Sequence, residues 1–266
     1  MKALLSTVSS DNVKVTPRRV SFVTDRFPGR PAFDTAVSRA VLERVAAGKL
    51  PETFRLTRPD RVLAFGRQDG AAPGFPEAVL AAERQGFASV LRLAGGRAAV
   101  FHEGTLSFAW AMSETDPTSR TFARFEEIAD ILRSGLERLG VNAVVGEVPG
   151  EYCPGRFSIS AGGQRKLVGV GQRLIAGAAH VGGVIVVERT DVLRAVLIPV
   201  YEALGLKWNP DTAGSVRDEV GASMSKVEDA VRSELVERFE LVEDHLDNET
   251  LELAGKLESA HRPHST

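Results

Sequence analysis

Apolar residues recur along this chain with two different periods, and the switches between them mark out its elements. Ala36, Val37, Ala40, Val41 and Val45 keep the spacing of one helix face, so a helix is predicted from Phe33 to Ala47, ended by Gly48. Arg61 to Phe65 reads as a short strand. Gly66-Arg67-Gln68 and the Gly/Pro-rich stretch Ala71 to Pro76 follow, then a helix through Ala82. Ser89 to Leu93, Arg97 to His102 and Leu106 to Met112 are short apolar runs parted by Gly95-Gly96 and Glu103-Gly104, which predicts three strands. Helical spacing returns from Arg120 to Leu139, where Phe122, Phe125, Ile128, Ala129, Leu132 and Leu136 line up and Gly140 closes the run.

Val141 to Val148 reads as a strand. Phe157 to Ile159 and Leu167 to Gln172, around the turn Ala161-Gly162-Gly163-Gln164, read as a hairpin, and Val181 to Val187 as a central strand. Asp191 is expected to cap a helix through Leu197 that Pro199 interrupts. Ser225 with Glu228 has the form of a capping box opening a helix through Phe239. Asp247 is expected to cap a last helix, with His261 to Thr266 fraying. The sum is an α+β fold, a central mostly antiparallel sheet flanked by helices, and not a regularly alternating parallel one.

Composition narrows the function classes. A net charge of -2 gives no reason to expect a nucleic-acid partner. No apolar run approaches the roughly 20 residues that cross a bilayer, and the stretch Ala3 to Leu5 is too short for a secretory leader. One cysteine makes no internal disulfide and suits a reducing compartment, so a cytoplasmic protein is expected. Five scattered histidines and one thiol do not suggest a structural zinc site, and no metal is expected.

Three segments hold candidate chemistry. Between Leu91 and Gly104, Gly95 and Gly96 are flanked by Arg92 and Arg97. Glycines admit a ligand close to the backbone and arginines hold anions, although a plain turn with two solvated arginines accounts for the same letters. In Glu151-Tyr152-Cys153-Pro154-Gly155 the Pro-Gly pair puts the thiol on a loop, as a reactive group or as a small buried hydrophobe. In Gly163 to Arg173, Lys166 enters an apolar run, either desolvated and poised beside an acyl carbonyl or reaching out to water from an edge. An extended hairpin sets Lys166 opposite Ile159 and Cys153 opposite Gln172, about 20 Å off. Pro154-Gly155 must fold the chain back if the two are to meet. His102 and His180 are the other titratable candidates, although a lone histidine at a strand end is more often a structural hydrogen-bonding residue than a base.

Taken in order, Gly66-Arg67-Gln68, the run from Arg92 through Gly95-Gly96 to His102, and Arg165-Lys166-Leu167-Val168-Gly169 with Gln172 resemble the catalytic domain shared by lipoate–protein ligases, octanoyltransferases and biotin–protein ligases. The likeness runs from about Phe33 to about Val187. The Gly-Arg-Gly-Arg loop of biotin ligases is missing, and Glu-Tyr-Cys-Pro-Gly is similar to the cysteine-dependent octanoyl and lipoyl amidotransferases. The resemblance implies a catalytic domain over residues 20–205 and a helical extension over 206–266 packed on it. It implies Cys153 as nucleophile and Lys166 as its catalytic partner. Arg92, Gly95, Gly96, Arg97, His102 and Gly169 would bind substrate, with neighbours such as Val100 lining an acyl tunnel. The reaction implied moves an octanoyl or lipoyl group from a carrier-protein thioester, through Cys153, to a lysine of a lipoyl domain or glycine-cleavage H-type protein, with no cofactor. The alternatives are a lipoate ligase using ATP and Mg, in which Cys153 is incidental, and a carrier-binding relative without catalysis.

Overall fold

Alternation puts Leu106, Phe108, Trp110 and Met112 of strand β6 (Thr105–Ser113) into the main core, and the sheet is laid out from that strand. The computed structural model describes residues 17–263, so the readings made of Ala3 to Leu5 and of the last three tail residues fall outside it. On one side of β6 stand β10 (Ala178–Val186), β9 (Arg165–Ile175), β8 (Ile159–Ala161) and β7 (Ala143–Val145), all antiparallel. On the other, β2 (Thr53–Thr57) is antiparallel, and β1 (Arg19–Val23) and β11 (Glu240–Asp244) follow in parallel. A smaller sheet has the order β4 (Ala88–Leu91), β3 (Val62–Phe65), β5 (Ala99–Phe101).

Helices cover both faces of the large sheet. Helices α4 (Thr121–Arg138) and α7 (Met224–Arg238) close the core centred on Trp110, whose ring meets Phe54 at 5.7 Å and Phe239 at 5.5 Å. Across the sheet, α1 (Pro31–Ala46) packs with α8 (Asn248–Leu257). The smaller sheet shares its core with α3 (Phe75–Arg84) and α5 (Thr190–Ala203), and the short helices α2 (Arg67–Gly70) and α6 (Val216–Val220) complete the set. The α+β class with a mostly antiparallel sheet is as expected.

Several details differ from the sequence reading, each for a local reason. Strands β1, β2 and β11 were not foreseen. The charge of Arg55 masks β2, yet its guanidinium is buried and bonded to Asp34 and Ser38 at 2.8 Å each. Acidic residues bound β11, which lies at the sheet edge in register with β1. Residues 206–266 are therefore not helical throughout, since β11 belongs to the main sheet. Helix α5 starts after Arg189, in a left-handed conformation, and runs through Pro199 to Ala203. Burial of Val200 and Tyr201 beyond the proline offsets the lost backbone bond. Ser223 and not Ser225 caps α7, and His261, expected in a frayed tail, is 4% exposed. Asp247 caps α8 as expected, its carboxylate accepting from Thr250 N at 2.8 Å.

The tightest point of the sheet lies between β9 and β10. A Cβ on Gly183 would stand 1.9 Å from the carbonyl oxygen of Gly169 and 2.7 Å from Phe108. Gly183→Ala is expected to lower stability by at least the roughly 1–3 kcal/mol of an overpacked core. Gly255→Ala, on an open helix face, should instead add up to about 1 kcal/mol. Urea midpoints of the two variants check the contrast.

Candidate active site

Hairpin β8–β9 carries Lys166 inward. Its partner across the ladder is Ser160 and not Ile159, because the register slips between Ile159 and Ser160. A lysine that is 1% exposed must satisfy three N–H donors. Nζ donates to the carbonyl oxygens of Tyr152 at 3.0 Å and Cys153 at 2.8 Å, sits 3.5 Å from Glu151 Oε2 and lies 4.8 Å from the Tyr152 ring centre. Burial pushes the ammonium below the usual lysine range, while Glu151 and then Cys153 act to raise it. The chain between β7 and β8 thus leaves the sheet and folds back over the lysine, closing the 20 Å gap of the extended register.

Glu151 forms the other half of this fold-back. Its carboxylate is buried, and Oε1 accepts from Gly155 N and Ser158 Oγ at 2.8 Å each, which pins the Pro154-Gly155 turn. Between these anchors Cys153 has φ +43°, a left-handed conformation costly for a side chain with a Cβ and held here by its neighbours. Its N–H donates to Tyr201 Oη at 2.8 Å, and that hydroxyl donates to Ala98 O at 3.0 Å. Burial raises the Tyr201 phenol well above its ordinary range.

The half-buried sulfur faces the glycine loop between β4 and β5. Arg97 N donates to Sγ at 3.2 Å, and Arg92 Nη1, which donates to Arg97 O at 2.9 Å, lies 3.8 Å from Sγ. Gly96 has φ +115°, and a Cβ there would come within 2.9 Å of the sulfur. The Gly66-Arg67-Gln68 segment braces this loop from behind. Asp69, wholly buried, accepts from Gly66 N at 2.9 Å and from Arg97 Nη1 at 3.2 Å.

A cavity of about 120 Å³ opens beside the loop, bounded by α1, the smaller sheet, β6 and β10. Ala64, Val90, Phe101 and Phe108 give it apolar walls, and Gly182 and Gly183 form part of its floor. Arg92 borders both this cavity and the sulfur. His180 also lines it, and burial lowers the imidazole to about 3, so the ring is neutral near pH 7.

Of the residues singled out in the sequence, Cys153, Lys166, Arg92, Gly95, Gly96, Arg97 and Gly169 come together. Gly95 N donates to Gln172 O at 3.3 Å, and a Cβ on Gly169 would touch the Lys166 stem at 3.5 Å. His102 does not join them. Its buried ring accepts from Gly104 N at 2.9 Å through Nδ1 and serves the turn between β5 and β6. Val100 packs with Leu63 in the core of the smaller sheet and does not line the cavity. The sequence reading missed Tyr201, Trp208 and Asp69. Tyr152 and Tyr201 are the chain's two tyrosines, and both pack on Trp208, at 5.7 and 5.8 Å. Among the described residues no group of three or more His, Cys, Asp or Glu gathers to hold a metal ion, and no helix is long and apolar enough to cross a membrane.

The profile of the lipoyl protein ligase A/B catalytic domain matches residues 30–237. The chain belongs to that family. Its curated relatives include an octanoyl-[GcvH]:protein N-octanoyltransferase of Geobacillus kaustophilus, 28% identical over 80% of this chain and 76% of the relative. A lipoyl-[GcvH]:protein N-lipoyltransferase of Listeria monocytogenes is 24% identical over 71% and 72%. The fold is that of a T. acidophilum protein solved with bound lipoic acid (TM-score 0.72, 21% identity, 92% and 95% covered) and of lipoate-protein ligase A bound with ATP (0.70, 22%, 92% and 94%). The matched region runs past residue 205, and the structure gives a reason: Gly214 N donates to Lys166 O at 3.0 Å, so the segment after α5 is tied to the site.

Two outcomes follow from these buried groups. Lys166→Met leaves the Glu151 carboxylate without its counter-charge and is expected to cost about 3–5 kcal/mol. Adding Glu151→Gln should restore part of that loss in a urea titration. His102 is held near 4 by burial, against 6.5 unfolded, so the unfolded chain takes up its proton first as pH falls. Wild type should therefore lose up to about 3 kcal/mol between pH 6.5 and pH 4 relative to His102→Asn, whose amide oxygen can take the Gly104 N–H.

Proposed function

We propose that this protein is an acyltransferase that carries an octanoyl or lipoyl group on Cys153 between two carrier proteins. The observation that carries the reading is the position of the sulfur, with one N–H and one guanidinium directed at it and an apolar cavity sharing the same arginine. The thiolate adds to the carbonyl carbon of the donor thioester, the C–S bond to the donor's sulfur breaks, and that sulfur leaves as a thiol, taking up the proton that Cys153 gave. The acyl group is then a thioester on Cys153. An amine of the acceptor lysine attacks, the C–S bond breaks, and an amide forms as the amine gives up a proton. Exchange between thioesters is close to isoenergetic and amide formation from a thioester is downhill, so neither step calls for ATP.

Each neighbour has a part in this scheme. Arg97 N–H and the Arg92 guanidinium stand where negative charge on sulfur or on a tetrahedral oxygen would need donors. Lys166 and Glu151 act one layer further out, fixing the two carbonyls and the turn that aim the sulfur. The apolar walls of the cavity suit an alkyl chain, and each buried methylene is worth about 0.8 kcal/mol, so shortening octanoyl to hexanoyl should weaken use on the order of 10-fold. The names of the relatives place an octanoyl or lipoyl group on GcvH and end in N-transfer, which supports a GcvH-type protein as one carrier and an amide as product. A lipoyl domain is the second carrier in this proposal.

Mixing the protein with octanoylated carrier should add one octanoyl mass to the intact chain, removable by hydroxylamine, equally with and without ATP. Cys153→Ala should fold normally, gain no mass and transfer nothing. Full transfer by that variant, or transfer that requires ATP and free lipoate, would overturn the proposal.

A further inference from the structure

A second concavity, of about 450 Å³, lies between α1, the start of α2, the ends of β4 and β9 and the short helical turn Glu258–His261 that follows α8. Arg39, Arg67, Arg92 and Arg173 all line it, and Glu43, the one carboxylate among its lining residues, is taken by Arg39 at 2.9 Å. Among the described residues neither Arg67 nor Arg173 pairs with an acid, in a molecule whose other arginines are widely paired. Four like charges gathered around a hollow with one carboxylate among them repel each other, a cost that a bound anion would lower.

His261 gives an independent sign. It lines the same hollow and is 4% exposed. Nδ1 lies 2.8 Å from the carbonyl oxygen of Leu91, which can only accept, so Nδ1 holds the proton. Nε2 is buried with no partner. Such a nitrogen is costly to leave unsatisfied, and an anion bound beside it would favour a second proton on the ring and so turn Nε2 into an N–H donor. Burial presses the ring toward the neutral form, its bond to Leu91 acts the other way, and the Arg39 charge adds a smaller push toward neutral. The charged groups that line the hollow with it are four arginines and one paired glutamate.

This hollow also touches the reaction site. Arg92 and Leu93 form a wall common to it and to the acyl cavity, and Arg92 reaches the sulfur. We propose that the hollow is an anion site for the acyl carrier, taking a phosphate or carboxylate group of the partner and so guiding its approach to Cys153. The inference rests on the acyltransfer reading for the identity of the partner, but not for the binding of an anion.

Inorganic phosphate is the first probe. In spectra of ¹⁵N-histidine protein, phosphate should move the ring signal that His261→Asn removes, and should move it far less in the Arg67→Gln/Arg173→Gln double variant. Phosphate should also compete with acylated carrier. In the double variant the carrier KM should rise on the order of 10-fold with little change in kcat. Wild-type turnover of octanoyl-pantetheine, which has no anionic group, should be unaffected by phosphate, and it tests the Cys153 reading on its own. Competition that extends to octanoyl-4′-phosphopantetheine assigns the site to a phosphate, and competition confined to carrier proteins assigns it to carboxylates. A His261 signal that phosphate leaves in place, or a carrier KM unchanged in the double variant, overturns the proposal.

Discussion

A lysine ammonium shut away from water has to be surrounded by acceptors, and in this protein those acceptors are the backbone on either side of the only cysteine. That requirement organises the site. To bring the carbonyls of Tyr152 and Cys153 onto Nζ, the chain leaves the sheet after β7, doubles back, and is fixed by the Glu151 carboxylate on the next turn. The cysteine is left in a left-handed conformation with its sulfur turned toward the glycine loop. Lysine and sulfur are thereby coupled through the backbone and not by a direct bond.

The surrounding elements resist relaxation of this arrangement. Tyr201 spans Cys153 and Ala98, joining the sulfur-bearing loop to the start of β5. Asp69 holds Arg97 on the far side of the loop, and a Cβ on Gly66 would strike Gly96 O at 1.8 Å, so the two segments fit only with glycine there. Residues after α5 add Trp208 and the bond from Gly214 to Lys166 O. Local strain at Cys153 is thus borne by several packed contacts, as at sites whose geometry is set before the substrate arrives.

Much of this was legible in the sequence because periodicity and glycine placement are local signals. The helices from Phe33, Arg120 and Asp247, the strands around Gly95-Gly96, and the lysine hairpin all lie close to where the spacing set them. The resemblance brought Cys153, Lys166, Arg92 and Gly96 together before any coordinates did. What escaped depends on pairs distant in the chain. Arg55 reads as an exposed charge until Asp34 and Ser38 are beside it, and β11 needs β1, over two hundred residues away. Tyr201 has no local mark of its role. The place of His102 escaped for the same reason: a histidine after a glycine loop looks poised, and only the coordinates show its ring bonded to the turn at Gly104.

The central claim, that the folded-back loop delivers an acyl group from sulfur into the neighbouring cavity, is most directly tested by a crystal structure of the octanoyl thioester formed on Cys153. The account predicts the chain running between Val90, Phe101 and Phe108 with its carbonyl oxygen in hydrogen-bond reach of Arg97 N–H. An octanoyl chain lying outside that cavity, with its carbonyl turned away from Arg97 and Arg92, would contradict it.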